Sequence, residues 1–328
     1  MKLSRCGLLF LCLSGCGRYS DFTLPALSSS RTASNSFDWK PDPATVLSPG
    51  AWDSVDVLNP SVVRRDNLYY NLYSGYDGKT WHTGLATSPD GAHWQKQGKI
   101  LSPQPHTWEA DYMAGNGSAL YDNPEFLYWY ESGPRDHLAI GLARSPDART
   151  WRRHPTPVLE PGPRGSFDEY AAADPIVLRL GDSFYMYYLG QDRARRQRIG
   201  LARSPDGVRW TKLRTNPVLE LGPDGAFDED GLGEPAVWQS HGHYWMLYTG
   251  RDRKEFRRLG LARSTDGVQW QKLPGSFSGA EPWNSKVLCD PSVLVEGDTI
   301  RVWFGGGDVA SPDENLHGRI GTAILVLK

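Results

Sequence analysis

Asp174 and Glu234 each stand one residue before a proline, sixty positions apart, in matching settings: Ala173-Asp174-Pro175-Ile176 and Gly233-Glu234-Pro235-Ala236. Asp290 repeats the step before Pro291 and Asn59 before Pro60, while Asn116, followed by Gly117, completes a series of five. Two carboxyl groups held across a pocket are the equipment of glycosidic bond cleavage. One, protonated, gives its proton to the leaving oxygen, and the other activates water or attacks the sugar carbon. Crowded acids raise one another's pKa, which keeps the donor protonated near neutral pH. The competing role is structural, because Asp and Asn cap turns by accepting from backbone N–H groups. Glutamate caps turns poorly, yet Glu234 occupies the position, and this favours chemistry there.

Bringing acids so far apart in the chain to one place requires a repeating scaffold. Gly84-Leu85-Ala86-Thr87-Ser88 returns at Gly141, Gly200 and Gly260, with a degenerate copy at Gly321-Thr322-Ala323-Ile324, at spacings of 57, 59, 60 and 61 residues. A period of this size marks a solenoid or a propeller. Inside each period the alternation has period two, as in Leu68-Tyr69-Tyr70-Asn71-Leu72-Tyr73, which specifies strands. Each repeat reads as four strands: one after the polar-Pro step, an aromatic run, the Gly-Leu-Ala segment, and a strand carrying a Trp. Asp-Gly turns such as Asp90-Gly91 join the last two. The expectation is an all-β, five-bladed β-propeller with four antiparallel strands per blade. Trp39, Trp94, Trp151, Trp210 and Trp270 mark the fourth strands. Because Trp39 precedes the first blade and the chain ends on a third strand, the N-terminal strand should complete the last blade. Ring closure removes exposed sheet edges.

A residue present in every copy serves the blade, so the Ser-Pro-Asp-Gly-x-x-Trp turns and Asp53, Asp168 and Asp228, each behind an aromatic, are read as structural. The five polar residues before strand one should ring one mouth of the channel. Loops after strand two return to that mouth. Arg193 and Arg251 on those loops are candidates for gripping sugar hydroxyls or an anionic group, and Trp108 for stacking on a sugar face. Surface ion pairing and core packing are the plainer roles for these three. The eight His show no metal-ligand spacing, no metal or cofactor is assigned, and the channel has room for a structural cation.

A net charge of −2 gives no basic footprint for nucleic acid. Lys2 and Arg5, the apolar stretch from Gly7 to Leu13, and Leu13-Ser14-Gly15-Cys16 read as an export signal over residues 1–15. This segment resembles the lipobox of bacterial lipoproteins, which implies acylation of Cys16. Gly17 after the Cys implies outer-membrane or surface placement, with the propeller in the periplasm or outside. Residues 16–36, rich in Ser, are expected to be a flexible tether, and 37–328 the propeller. Cys289 is then the one cysteine of the folded domain, so no internal disulfide forms. A monomer held to the membrane through its lipid alone is expected.

The blade pattern, acid-Pro-Ser/Ala, Tyr-rich strand, then Gly-Leu-Ala-x-Ser-x-Asp-Gly-x-x-Trp, resembles the five-bladed propeller glycoside hydrolases of family 43 and its relatives in families 32, 62, 68, 117 and 130. The resemblance covers residues 37–328. It implies inversion with Glu234 as general acid and Asp174 tuning that acid's pKa, while Asn59, Asn116 and Asp290, from the same ring of polar residues, are candidates for contacting substrate. The family's base falls on residue 59, which is Asn here, and a neutral amide takes no proton from water. Three readings follow: the base is a neighbour, Asp56, Asp53 or Asp111, with the non-repeated Asp56 and Asp111 favoured over Asp53; phosphate is the nucleophile, as in family 130 phosphorylases; or the chain binds carbohydrate without cutting it. A sialidase-like activity is suggested by the Asp-Gly turns alone. Five blades and no arginine triad count against it.

Overall fold

The computed structural model describes residues 18–27, 37–297 and 299–327; Cys16 and the export signal lie outside them. Five antiparallel sheets are laid around a channel. Blade one comprises Asp56–Arg65, Leu68–Tyr76, Trp81–Ser88 and Gln95–Leu101, and blade two Ala114–Asp122, Glu125–Ser132, Ala139–Ser145 and Arg152–Arg153. Blade three runs through Ala171–Leu180, Ser183–Gln191, Gln197–Ser204 and Thr211–Leu213; blade four through Gly231–Ser240, His243–Arg251, Arg257–Ser264 and Gln271–Lys272. Blade five is Val287–Glu296, Thr299–Gly307 and Arg319–Leu327, completed by Phe37–Leu47, where Trp39 pairs with Leu325. The N-terminal strand therefore supplies the missing edge, as the Trp spacing implied.

The repeats are explained by packing. In blade three Phe167 and Asp168 lie over Gly190 and Gly200, where an added Cβ would fall within 2.8 Å of Asp168 Cβ and 2.9 Å of Tyr188. The Gly of each Gly-Leu-Ala segment therefore has no room for a side chain. Asp168, buried, accepts from Tyr188 Oη at 2.9 Å and pairs with Lys212 at 2.5 Å. Asp53 with Tyr73 and Lys96, and Asp228 with Tyr248 and Lys272, repeat the arrangement, and blade two uses Glu109, Tyr130 and Arg153. In each case the cation sits opposite the Ala of Gly-Leu-Ala. Blade five replaces all three members together, by Asn284, Phe304 and Pro41, the last opposite Ala323. The Asp-Gly turns are also structural. Asp206 Oδ1 accepts from the backbone of Val208 and Arg209, and the Gly207 carbonyl accepts from Trp129 Nε1 of the preceding blade at 2.8 Å.

One expectation is revised. Residues 18–27, placed by composition in a flexible tether, lie on the propeller. Tyr19–Ser20 adds a parallel strand to Thr211–Leu213, Leu24 is buried against Gly267, and Tyr244 donates to the Pro25 carbonyl. Phe22 and Leu27 pack on the same core cluster, so apolar burial offsets the entropy of ordering this segment.

Candidate active site

The inner strand of every blade breaks register at its polar residue. Between Leu58 and Ser61, Gly115 and Ser118, Ala173 and Ile176, Gly233 and Ala236, and Cys289 and Ser292, two residues oppose one on the neighbouring strand. The first of each pair is left-handed: φ is 48° at Asn59, 45° at Asn116, 41° at Asp174, 50° at Glu234 and 51° at Asp290. These are bulges of the type that re-aims a side chain. Asn and Asp tolerate that backbone; Glu does so less readily, and each such residue costs of order 1–3 kcal/mol. All five reach the channel, and all five line one cavity of about 480 Å³ at its mouth. The ring predicted from sequence is therefore present.

A bulge leaves its N–H outside the strand ladder, and for Asn59, Asn116, Asp174 and Asp290 the blade before it supplies a side-chain acceptor. Ser74 Oγ accepts from Asn116 N at 2.7 Å and Thr249 Oγ1 from Asp290 N at 3.2 Å. Both lie on strand two, opposite Leu58 and Gly233. The equivalent position is Leu189 in blade three and Gly305 in blade five, which offer no such group. In blade two it is Glu131, whose Oε2 accepts from Asp174 N at 3.3 Å. Glu131 is a cavity residue that the sequence reading missed. Its signal was present as a lone acid at a strand-two position otherwise held by Ser, Leu, Thr and Gly.

Four carboxyl groups of the first and second strands thus meet at the mouth, Glu131, Asp174, Glu234 and Asp290, and Asp136 and Asp313 join the lining from loops. Asp290 Oδ2 accepts from Asn59 N at 3.1 Å, and Glu234 Oε2 from Asp290 N at 3.3 Å, which links blades four, five and one. Burial, then the charges of Glu131, Glu234 and Asp290, holds the Asp174 carboxyl well above the usual range. Asp290 is pushed up in the same way, by burial first and then by Glu234. Glu131 rises to about 7, chiefly through burial, against hydrogen bonds from Asp174 and Asn116. Asp174 Oδ1 is buried with no hydrogen-bond partner, so a polar group of a bound molecule has an acceptor waiting. Arg135, Arg195, Arg251 and Arg257 line the same cavity. Glu234, Cys289 and Asp290 offer ligand atoms within 4.8 Å of one another, the one grouping of metal-ligand geometry among the described residues. The charges of Glu234, Cys289 and Asp290 also act on Arg257, a cation already at that spot.

The remaining predicted residues divide. Arg251 is at the cavity wall, tied to Asp230 at 3.4 Å and Glu255 at 3.3 Å. Asp56 is fully buried and does not line the cavity: its oxygens accept from Asn315 N and Gly318 N, both at 2.7 Å. It is unique among the blades because the loop it holds, 308–318, is unique; Arg135 ties the same loop through Asp313 and Glu314. Asp111 is exposed and also outside the cavity lining, although Tyr112 and Met113 belong to it. Trp108 lies against Tyr130 and over Gly141, the place of Phe167 in blade three, so it is blade packing and not a sugar platform at the mouth. Arg193 is exposed and paired with Glu169 at 3.1 Å, away from the lining.

Known proteins agree with this architecture. The model of the glycosyl hydrolases family 32 N-terminal domain matches residues 65–215 and again 126–283, two overlapping registers about one blade apart. A glycoside hydrolase structure superimposes with a TM-score of 0.72 at 18% identity, covering 87% of this chain and 92% of that one. The β-1,2-mannobiose phosphorylase from Listeria innocua gives 0.69 at 12% identity, over 88% and 97%. An uncharacterized protein of Mycobacterium tuberculosis is 30% identical over 158 residues, 45% of this chain; the match spans 52%, about half, of that relative's length. The fold defines a protein of the five-bladed propeller class. Within that class, the chain belongs to the five-bladed propeller glycoside hydrolases, as the two family 32 matches together show.

Proposed function

We propose that this chain is a glycosidase that cleaves a poly- or oligosaccharide with inversion, with Glu234 as general acid. The observation that carries the reading is the convergence of Glu131, Asp174, Glu234 and Asp290 on one open cavity, each bulged residue held in a strained backbone that only aims its side chain. Glu234 gives its proton to the glycosidic oxygen as the C–O bond breaks, and water adds to the anomeric carbon from the other face. Asp174, kept neutral by burial and its acidic neighbours, stands beside the donor as a carboxylic acid and not as a further negative charge. The test is a panel of aryl glycosides and plant and microbial glycans. Glu234→Gln should lower turnover by roughly 10²–10⁴-fold with the fold intact. Cleavage that survives this change assigns the acid elsewhere, and glycan binding without any released sugar makes the chain a binding protein.

A second reading is favoured by the four arginines in the lining together with Asn59: phosphate in place of water as the nucleophile. It predicts sugar 1-phosphate as product and no turnover without phosphate. On the lipobox at residues 13–16, the same proposal places the chain as an exported lipoprotein anchored through Cys16.

A further inference from the structure

We propose that Glu131 is the carboxylate that takes the proton from the attacking water, in the place that Asn59 leaves vacant. This rests on the glycosidase reading above. As the water oxygen bonds to the anomeric carbon, one water proton passes to Glu131; the bond to the leaving oxygen breaks and that oxygen takes the proton of Glu234. Solvent then returns one proton to Glu234 and removes one from Glu131.

The case is built on the strand-two position. Its structural task, accepting from the next blade's bulge N–H, is done by the hydroxyls of Ser74 and Thr249 at 2.7 and 3.2 Å, and dispensed with at Leu189 and Gly305. A hydroxyl suffices, so a buried ionisable group there exceeds what the fold requires, and its desolvation is costly. Glu131 lines the cavity with Asn59, Asp174 and Glu234, and its Oε2 is 3.3 Å from Asp174 N. Asp174 reaches across from blade three, Asn116 lies on its own blade, Asp313 comes from the blade-five loop, and Tyr112 and Tyr128 feel its charge. Burial raises Glu131 to about 7 against hydrogen bonds from Asp174 and Asn116, so it is a carboxylate above that pH, and its charge helps hold the Asp174 carboxyl up.

The experiment compares the full chain with its Glu131→Gln and Glu131→Ser variants on 4-methylumbelliferyl glycosides. Ser copies blade one, so that variant keeps the bulge cap, and thermal melting checks folding in both. The expected result is kcat down by roughly 10²–10⁴-fold with KM little changed, loss of the acidic limb of the pH–rate profile near pH 7, and recovery of turnover by azide with a glycosyl azide of inverted configuration. A Glu131→Gln enzyme within about threefold of the parent, its acidic limb intact, makes Glu131 a bulge cap and overturns the assignment while leaving the glycosidase reading standing. A parent chain that cleaves no glycoside overturns both.

Discussion

Blade five performs, within this chain, the replacement that tests what the buried acid–Tyr–cation groups contribute. Asp168 and Lys212 are 1% and 8% exposed at the side chain and 2.5 Å apart, and Tyr188 Oη donates to the same carboxylate at 2.9 Å. Lys212→Met removes the cation and leaves a desolvated carboxylate with a single hydroxyl donor. Breaking one partner of such a pair costs about 3–5 kcal/mol. At about 2 °C per kcal/mol for a domain of this size, melting should fall by roughly 6–10 °C. Asp168→Asn/Tyr188→Phe/Lys212→Met, built on the Asn284–Phe304–Pro41 pattern, removes the charge together with its partner and should cost less than Lys212→Met alone. Differential scanning calorimetry on the three single variants and the triple gives the coupling directly. The reasoning is refuted if Lys212→Met melts within about 1 °C of the parent, or if the triple variant loses as much as the sum of its singles.

Glu131 and Cys16 each carry a further expected outcome. Glu131 binds its proton more tightly folded than unfolded, since its pKa rises from 4.5 to about 7. Its contribution to stability is therefore complete below about pH 4.5 and lost as pH climbs through 7, worth roughly 3 kcal/mol over that window. Glu131→Gln should flatten the fall in melting temperature between pH 4.5 and 7 by that amount; an unchanged slope means the group titrates normally. Cys16→Ser should move the exported chain from the membrane pellet to the soluble fraction, and a variant that stays in the pellet removes the lipid anchor from the proposal. The Arg18 carbonyl accepts from Lys212 N at the edge of blade three, so an acyl group at Cys16, two residues away in sequence, would hold the propeller close to the bilayer.

The blades were legible because repetition multiplies weak signals. One Gly-Leu-Ala segment says little, but four and a degenerate fifth at nearly equal spacing specify the sheet order, and the displaced Trp39 specifies how the ring closes. The docked segment 18–27 was not legible for the opposite reason. Phe22, Leu24 and Leu27 act once, on core shared by blades three and four, and ten residues are too few to set a period. Composition then argued for a tether where burial decides otherwise. Trp108 stood as a stacking candidate behind the plainer role of core packing, because an aromatic without repeat context does not show which surface it covers. Only its contact with Gly141 and Tyr130 identifies it as the blade-two member of the Trp52, Phe167, Phe227 and Trp283 series.

Uniqueness among repeats is a mixed signal, and the site shows both outcomes. Asp56 is unique because the fold is locally unique: it fastens the 308–318 loop by two backbone N–H bonds, and no chemistry need be invoked for it. Glu131 is unique where the fold is not. The register pairs it with Gly115 as Ser74 is paired with Leu58 and Thr249 with Gly233, so the backbone around it makes the same demand in each blade. Comparing only the residues before strand one overlooked it, since strand two was read as packing. Subtracting the repeat locates a site when the position has equivalent surroundings in all copies and one copy exceeds what they ask of it; Glu131 meets that condition and Asp56 does not.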